Sequence, residues 1–234
     1  MPTLHHLKHS RSQRILWLFA ELGLDYDIQI HERDPKTSLA PDSLKATFEL
    51  GRSPVVTLDD EAHTPLAESG AIVEYFAHIH PEANLTYQAG HTAFSDYLYW
   101  LHFAEGTMMP PLIAKLVLGK AKAKKKPIII KTIADKVIDA ILNAYYDKNF
   151  AENVAHVEKH LARQADKGFE YFVGEHLSTV DFMMLFPLEA MLASQPNHVP
   201  KHIKAYVESM KSRTAYQQAL DTGGEYNFGP RQAA

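Results

Sequence analysis

Apolar and polar positions follow two different rhythms along this chain, and the change comes near residue 81. TLHHL (3–7) reads as a short strand. In RSQRILWLFAELGL (11–24), Ile15, Leu16, Leu18, Phe19 and Leu22 recur at helical spacing, and Gly23 stands where a C-terminal cap belongs. YDIQI (26–30) alternates Tyr26, Ile28 and Ile30 with polar residues, the period of a half-buried strand. Strand, helix and strand with short links predict a βαβ unit with parallel strands. DPKTSLAPDSLKATFELG (34–51) is irregular, with one short helix expected at 42–50. SPVVTLDDEAHTPLAES (53–69) predicts strand, turn and strand, with Asp59, Asp60 and Glu61 at the bend. SGAIVEYFAHIH (69–80) predicts a helix capped by Ser69, with Ile72, Tyr75, Phe76 and Ile79 on its apolar stripe.

Beyond this point alternation almost disappears. PEANLTYQAGH (81–91) is a connector rich in turn residues, and long helical patterns follow over roughly 91–118, 127–148, 149–167, 178–194 and 200–211. The division is therefore 1–81 for a mixed α/β domain, 82–90 for a linker and 91–234 for an all-helical domain. LSTVDF (177–182) marks one helix start: Ser178 with Asp181 is a capping-box variant, and Leu177 with Phe182 can form the hydrophobic staple.

Composition narrows the chemistry. The hydrophobic share of 46% and charged share of 22% are those of an ordinary globular protein, and the net charge of −4 argues against nucleic acid as a partner. No apolar run is long enough for a membrane span, and His and Lys interrupt the first residues where a signal peptide would be apolar. The expected location is the cytoplasm. The chain has no cysteine, which rules out disulfides, zinc–thiolate sites and a protein thiol nucleophile. Any sulfur chemistry must use a ligand's sulfur. Fourteen histidines do not imply a metal: His5 and His6 are neighbours on a strand and face opposite sides, and no HExxH occurs. Lys120 to Lys126 reads as a solvated connector, with an acidic partner or membrane surface as the alternative.

Four motifs in this order, HSRSQRILWLFAELGL, ELGRSPVV, LAESGAIVEYF and LSTVDF, resemble those of the cytosolic glutathione S-transferases, in particular serine-type members of bacteria and fungi. The likeness covers nearly the whole chain. It implies an α/β plus all-α fold: a thioredoxin-like βαβ–ββα domain that binds glutathione, then a helical domain. It also implies a cis bond before Pro54, pairing of the Ser53 backbone with the cysteinyl unit of glutathione, and a homodimer. Glutathione would be a co-substrate, with no prosthetic group. The aromatic and Met-rich segment 94–112 would help to wall in a hydrophobic electrophile, attacked by substitution, addition or reduction of a hydroperoxide.

The residue chemistry can be weighed beside the resemblance. A free thiol near pKa 8.5 is a few per cent thiolate at neutral pH. Lowering that pKa by about two units needs about 2.7 kcal/mol of anion stabilisation. A helix N-terminus gives about 0.3–1 kcal/mol, and one hydrogen bond to a charged group about 1.5–3 kcal/mol. A hydroxyl at the start of the first helix can do this, or can simply cap the helix. The family pattern of Ser, three residues, then Arg selects Ser10, with Arg14 as the arginine; Ser12 and Arg11 remain alternatives. Glu68 can hold an ammonium, and Ser69 with the free N–H groups of a helix start can hold a carboxylate. Together they suit the γ-glutamyl end. Arg52 stands where relatives carry a cation for the glycine carboxylate, with Lys36 or Lys45 as a further donor. The alternative to an enzyme is a non-catalytic member of the same fold, acting as a ligand-binding or protein-interaction module.

Overall fold

The computed structural model describes residues 1–194 and 199–228. The first part runs β1 (Thr3–Leu7), α1 (Gln13–Leu22), β2 (Asp27–His31), α2 (Ser43–Thr47), β3 (Val55–Thr57), β4 (Pro65–Ala67) and α3 (Ser69–Ile79). The sheet order is β2-β1-β3-β4. β1 and β2 are parallel, as the short helical crossover between them requires. β1–β3 and β3–β4 are antiparallel. This is the βαβ–ββα order that the rhythm of the first eighty residues predicts.

The helical layer contains α4 (Phe94–Phe103), α5 (Met109–Ala123), α6 (Ile128–Ile141), α7 (Asp147–Asp166), α8 (Thr179–Ser194), α9 (Lys201–Ser212) and α10 (Thr214–Gly223). Two π-helical turns, Ala104–Met108 and Leu142–Tyr146, join α4 to α5 and α6 to α7. The pattern at 127–167 predicts a break at 148–149. The chain instead runs on as helix and absorbs the misfit five residues earlier. Among the described residues no helix is long and apolar enough to cross a membrane.

α1 departs from a simple amphipathic helix. Ile15, Leu16, Trp17, Leu18 and Phe19 are all at most 1% exposed, because α3 covers one side while α8 and α10 cover the other. Gly23 ends it with φ 61°, its N–H and that of Leu24 returning to the Ala20 and Phe19 carbonyls. α10 lies beyond the last helix predicted from the sequence. Its apolar residues Tyr216 and Ala219 are buried, and at its end a Cβ on Gly223 would come within 2.7 Å of Gln13 Oε1 and Leu16 Cδ1. A larger residue there would have to push the Gln13 and Leu16 side chains aside.

The capping box of α8 takes a modified form. Asp181 Oδ2 accepts the Ser178 N–H at 2.8 Å, and it also receives the Ser178 hydroxyl at 3.2 Å. The hydroxyl therefore points at the carboxylate and not at the helix N–H. Ser69 is likewise not a cap: it is the first residue of α3, and Glu68 holds the cap position with φ 72° and no side-chain bond.

Candidate active site

The β1–α1 turn, the loop before β3, the start of α3 and one face of α5 surround a cavity of about 1270 Å³. Ser10, Arg11, Arg52, Ser53, Pro54, Glu68 and Ser69 all lie on its wall, drawn from sixty residues of sequence. Ser12, Lys36 and Lys45 are not among the residues that line it. Lys45 pairs instead with Asp42 at 3.1 Å. The Ser53–Pro54 bond is cis.

Ser10 starts the turn that leads into α1. Its Oγ accepts the Ser12 N–H at 3.1 Å, and its carbonyl accepts the Gln13 N–H at 3.4 Å, the bonds of a cap on the turn that begins three residues before α1. The same Oγ is 3.4 Å from Ser53 Oγ and 2.9 Å from Ser12 Oγ. Ser10 retains 7% exposure at the cavity, whereas Ser12 has none. The Ser12 hydroxyl is engaged behind Ser10 by His6 Nδ1 at 2.8 Å and the Leu7 carbonyl at 3.2 Å. It cannot reach a ligand without unpacking β1 from α1.

Glu68 is exposed, with φ 72° and ψ 123°, a conformation that costs a non-glycine residue about 1–3 kcal/mol. Ser69, next to it, is buried at the N-terminus of α3. Carboxylate, hydroxyl and free helix N–H groups thus meet at one corner of the cavity. Arg52 is exposed on the loop before β3.

Several wall residues were not legible as site residues in the sequence. Arg33 reaches the cavity because its guanidinium is tied to the Lys8, His9 and Ser38 carbonyls at 3.1–3.2 Å. Glu105 sits in the π-helical turn, accepts a hydrogen bond from Arg14 Nη1 at 2.8 Å, and forms an ion pair with Arg11, whose Nε lies 3.2 Å away without a hydrogen bond. Arg14 is fully buried, and burial pushes its guanidinium below the usual arginine range while Glu105 opposes that shift. Both arginines face the Phe186 ring, at 5.9 Å for Arg11 and 5.0 Å for Arg14. Two guanidiniums on one carboxylate leave a net positive charge beside Ser10. The extra residue of a π turn leaves no mark in a helical pattern, so the sequence offers no signal for Glu105.

The segment after α10 closes one side. Phe228 lies on the cavity wall against Phe186, with ring centroids 5.6 Å apart, and its carbonyl accepts Lys211 Nζ at 2.7 Å. Tyr226 OH donates to the buried Glu189 at 2.9 Å. The rest of the closing segment DTGGEYNFGPRQAA, residues 229–234, lies outside the described residues.

His6, at 1% exposure, supplies a pH prediction. Burial lowers it from 6.5 to about 4. Between those values the unfolded chain takes up a proton that the fold refuses, so stability falls as pH drops through this window, by about 3 kcal/mol when complete. Urea midpoints measured across that range should fall less steeply in His6→Asn, which retains an acceptor for Ser12. Equal slopes in both proteins would assign the acid sensitivity elsewhere.

Residues 10–79 match the glutathione S-transferase N-terminal domain, and residues 120–219 match the C-terminal domain of the same family. Glutathione S-transferase 3 of Schizosaccharomyces pombe is 30% identical over 94% of this chain and 87% of its own length. Glutathione S-transferase 1 of Saccharomyces cerevisiae is 31% identical over 91% of each. A solved glutathione S-transferase from Actinobacillus pleuropneumoniae is 32% identical, covers 95% of this chain and 93% of its own, and superposes with a TM-score of 0.73.

Proposed function

This chain belongs to the glutathione S-transferase family, and from that membership and the cavity we infer that it is a glutathione transferase. Glutathione lies along the sheet side of the cavity. Its ammonium meets Glu68, and its γ-glutamyl carboxylate meets Ser69 and the N-terminal N–H groups of α3. The cysteinyl unit pairs with the Ser53 backbone beside Pro54, and the glycine carboxylate faces Arg52. The sulfur meets the Ser10 hydroxyl at the start of α1, where the hydrogen bond and the helix dipole both favour the thiolate. The thiolate attacks an electrophilic carbon on the helical side: the S–C bond forms while a leaving group departs or an adjacent carbon or oxygen takes up the electron pair and then a proton. The protein supplies proximity and anion stabilisation, with no covalent intermediate on the chain.

The observation that carries this reading is the convergence of Ser10, Arg52, Ser53, Glu68 and Ser69 on one cavity. Its test is titration of the thiol of bound glutathione by ultraviolet absorbance. A pKa well below that of the free thiol is expected. Binding without a lowered pKa, or no binding, would make the chain a non-catalytic relative. A reducing compartment such as the cytoplasm suits the reaction, because glutathione stays a thiol there.

The assembly we assign is a homodimer. Ile133, Val137, Ile141 and Tyr145 recur about every four residues on the exposed side of α6 and the π turn after it, and Leu98 and Tyr99 are exposed on α4. Exposed apolar faces of this kind mark contacts with another protein surface. Light scattering should give twice the chain mass of 26.4 kDa, falling to the single mass in an Ile133→Lys, Val137→Lys variant. A wild-type mass of one chain would remove the assignment.

A further inference from the structure

The cavity is larger than one ligand needs. Sites for a single small molecule enclose roughly 300–1,000 Å³, against about 1270 Å³ here, and the glutathione residues occupy only its sheet side. The remaining wall is built mainly by α5. Met109, Leu112, Ile113, Leu116, Gly119 and Lys120 all face the cavity, at spacings of three or four residues that form one stripe. The stripe is apolar until its last member. From Met109 to Lys120 it extends about 16 Å at 1.5 Å per residue, the reach of an extended chain of about a dozen carbons. Across the cavity α8 presents the small side chains of Ala190 and Ala193, which leaves room beside the α5 stripe.

The cations along this stripe differ in what they already hold. Lys115 also lines the cavity, but its ammonium is bound to Asp147. Beyond the stripe, Lys122 is paired with Asp139 and Lys131 with Asp135. Lys120 makes no ion pair or hydrogen bond among the described residues, and it stands at the end of the apolar stripe. An ammonium in that place is positioned for an anion whose apolar body lies along α5. The arginine pair on Glu105 leaves cationic groups at the opposite, reactive end of the cavity as well.

We propose that the second substrate is a long-chain acid carrying an electrophilic carbon, its chain laid along Met109, Leu112, Ile113 and Leu116 and its carboxylate held by Lys120. This deepens the transferase reading and rests on it. With an α,β-unsaturated ketone as the electrophile, the sulfur anion adds to the β-carbon and forms the C–S bond. The double-bond electron pair moves to the carbonyl oxygen as enolate, and water supplies the proton that restores the ketone. Nothing is oxidised or reduced, and no further reactant is required.

The experiment compares kcat/KM for a long-chain enone acid with that for its methyl ester, in wild type and in Lys120→Gln, with 1-chloro-2,4-dinitrobenzene as a reference electrophile. Wild type should favour the acid by about tenfold, chiefly through KM. In Lys120→Gln the acid-to-ester ratio should fall to about one. Equal values for acid and ester in wild type overturn the proposal. An acid preference that survives in Lys120→Gln overturns the assignment of the carboxylate to Lys120. If neither the reference nor the enones turn over, the transferase reading fails and the proposal with it; reference turnover without an acid preference defeats the proposal alone.

Discussion

Ser10→Ala should raise the thiol pKa of bound glutathione by about one to two units and lower kcat/KM near neutral pH by roughly ten- to a hundredfold. The removed group is one hydroxyl donor to a sulfur anion, worth about 1.5–3 kcal/mol, and each 1.36 kcal/mol is a factor of ten. The helix N-terminus remains, so activity should fall without vanishing. Ser12→Ala is the informative contrast. Its hydroxyl binds His6 and the Leu7 carbonyl out of reach of the cavity, so that change should cost stability and leave the thiol pKa near the wild-type value. Glutathione affinity should change little in either variant, since Glu68, Ser69 and Arg52 are untouched. An unaltered thiol pKa in Ser10→Ala would reduce Ser10 to the cap of its turn, and Arg11 would become the residue to test.

The largest stability effect should come from Asp181→Ala. This carboxylate is fully buried and accepts four bonds: the Ser178 N–H and hydroxyl on one oxygen, the Phe172 N–H at 2.8 Å and Tyr206 OH at 2.9 Å on the other. It therefore ties the start of α8 to the loop before it and to α9. Burial pushes the Asp181 carboxyl above the usual carboxylate range, against the pull of these donors. Truncation leaves two N–H groups and two hydroxyls without their acceptor in a dry interior. Unpaired buried groups cost about 1–3 kcal/mol each, and breaking a buried charged network about 3–5 kcal/mol in total. For a chain of this size that lowers Tm by roughly 10 °C. Asp181→Asn keeps one oxygen acceptor and should fall between the two proteins in thermal unfolding. A loss under about 1 kcal/mol in Asp181→Ala would mean that water or neighbouring groups take over these bonds.

The sequence was informative wherever the deciding interactions are local. The spacing of Ile15, Leu16, Leu18, Phe19 and Leu22, the glycine at 23 and the alternation of 26–30 fix the βαβ unit, because helical periodicity, left-handed caps and strand pleating act within a few residues. The pairing of Ser178 with Asp181 was visible for the same reason, though the hydroxyl's target was not. α10 was missed although Tyr216 and Ala219 carry its signal, because its short apolar face is completed only by α1. The candidate binding residues Ser10, Arg52, Ser53, Glu68 and Ser69 could be named from motifs, and it is the fold that gathers them at one cavity.

What the sequence determined by itself is the order and type of most elements, the absence of a protein thiol, and the residue types able to hold a peptide with a free amino-acid end. Tertiary structure alone decided that Ser10 faces the cavity while Ser12 is sealed behind it by His6. It also decided that Glu105 is shared by two arginines, that Phe228 returns to the wall, and that Lys120 ends an apolar stripe without a partner among the described residues. Each of these depends on contacts between residues far apart in the chain. Which side chain is covered, paired or left open is set by how whole elements pack, and no local pattern records it.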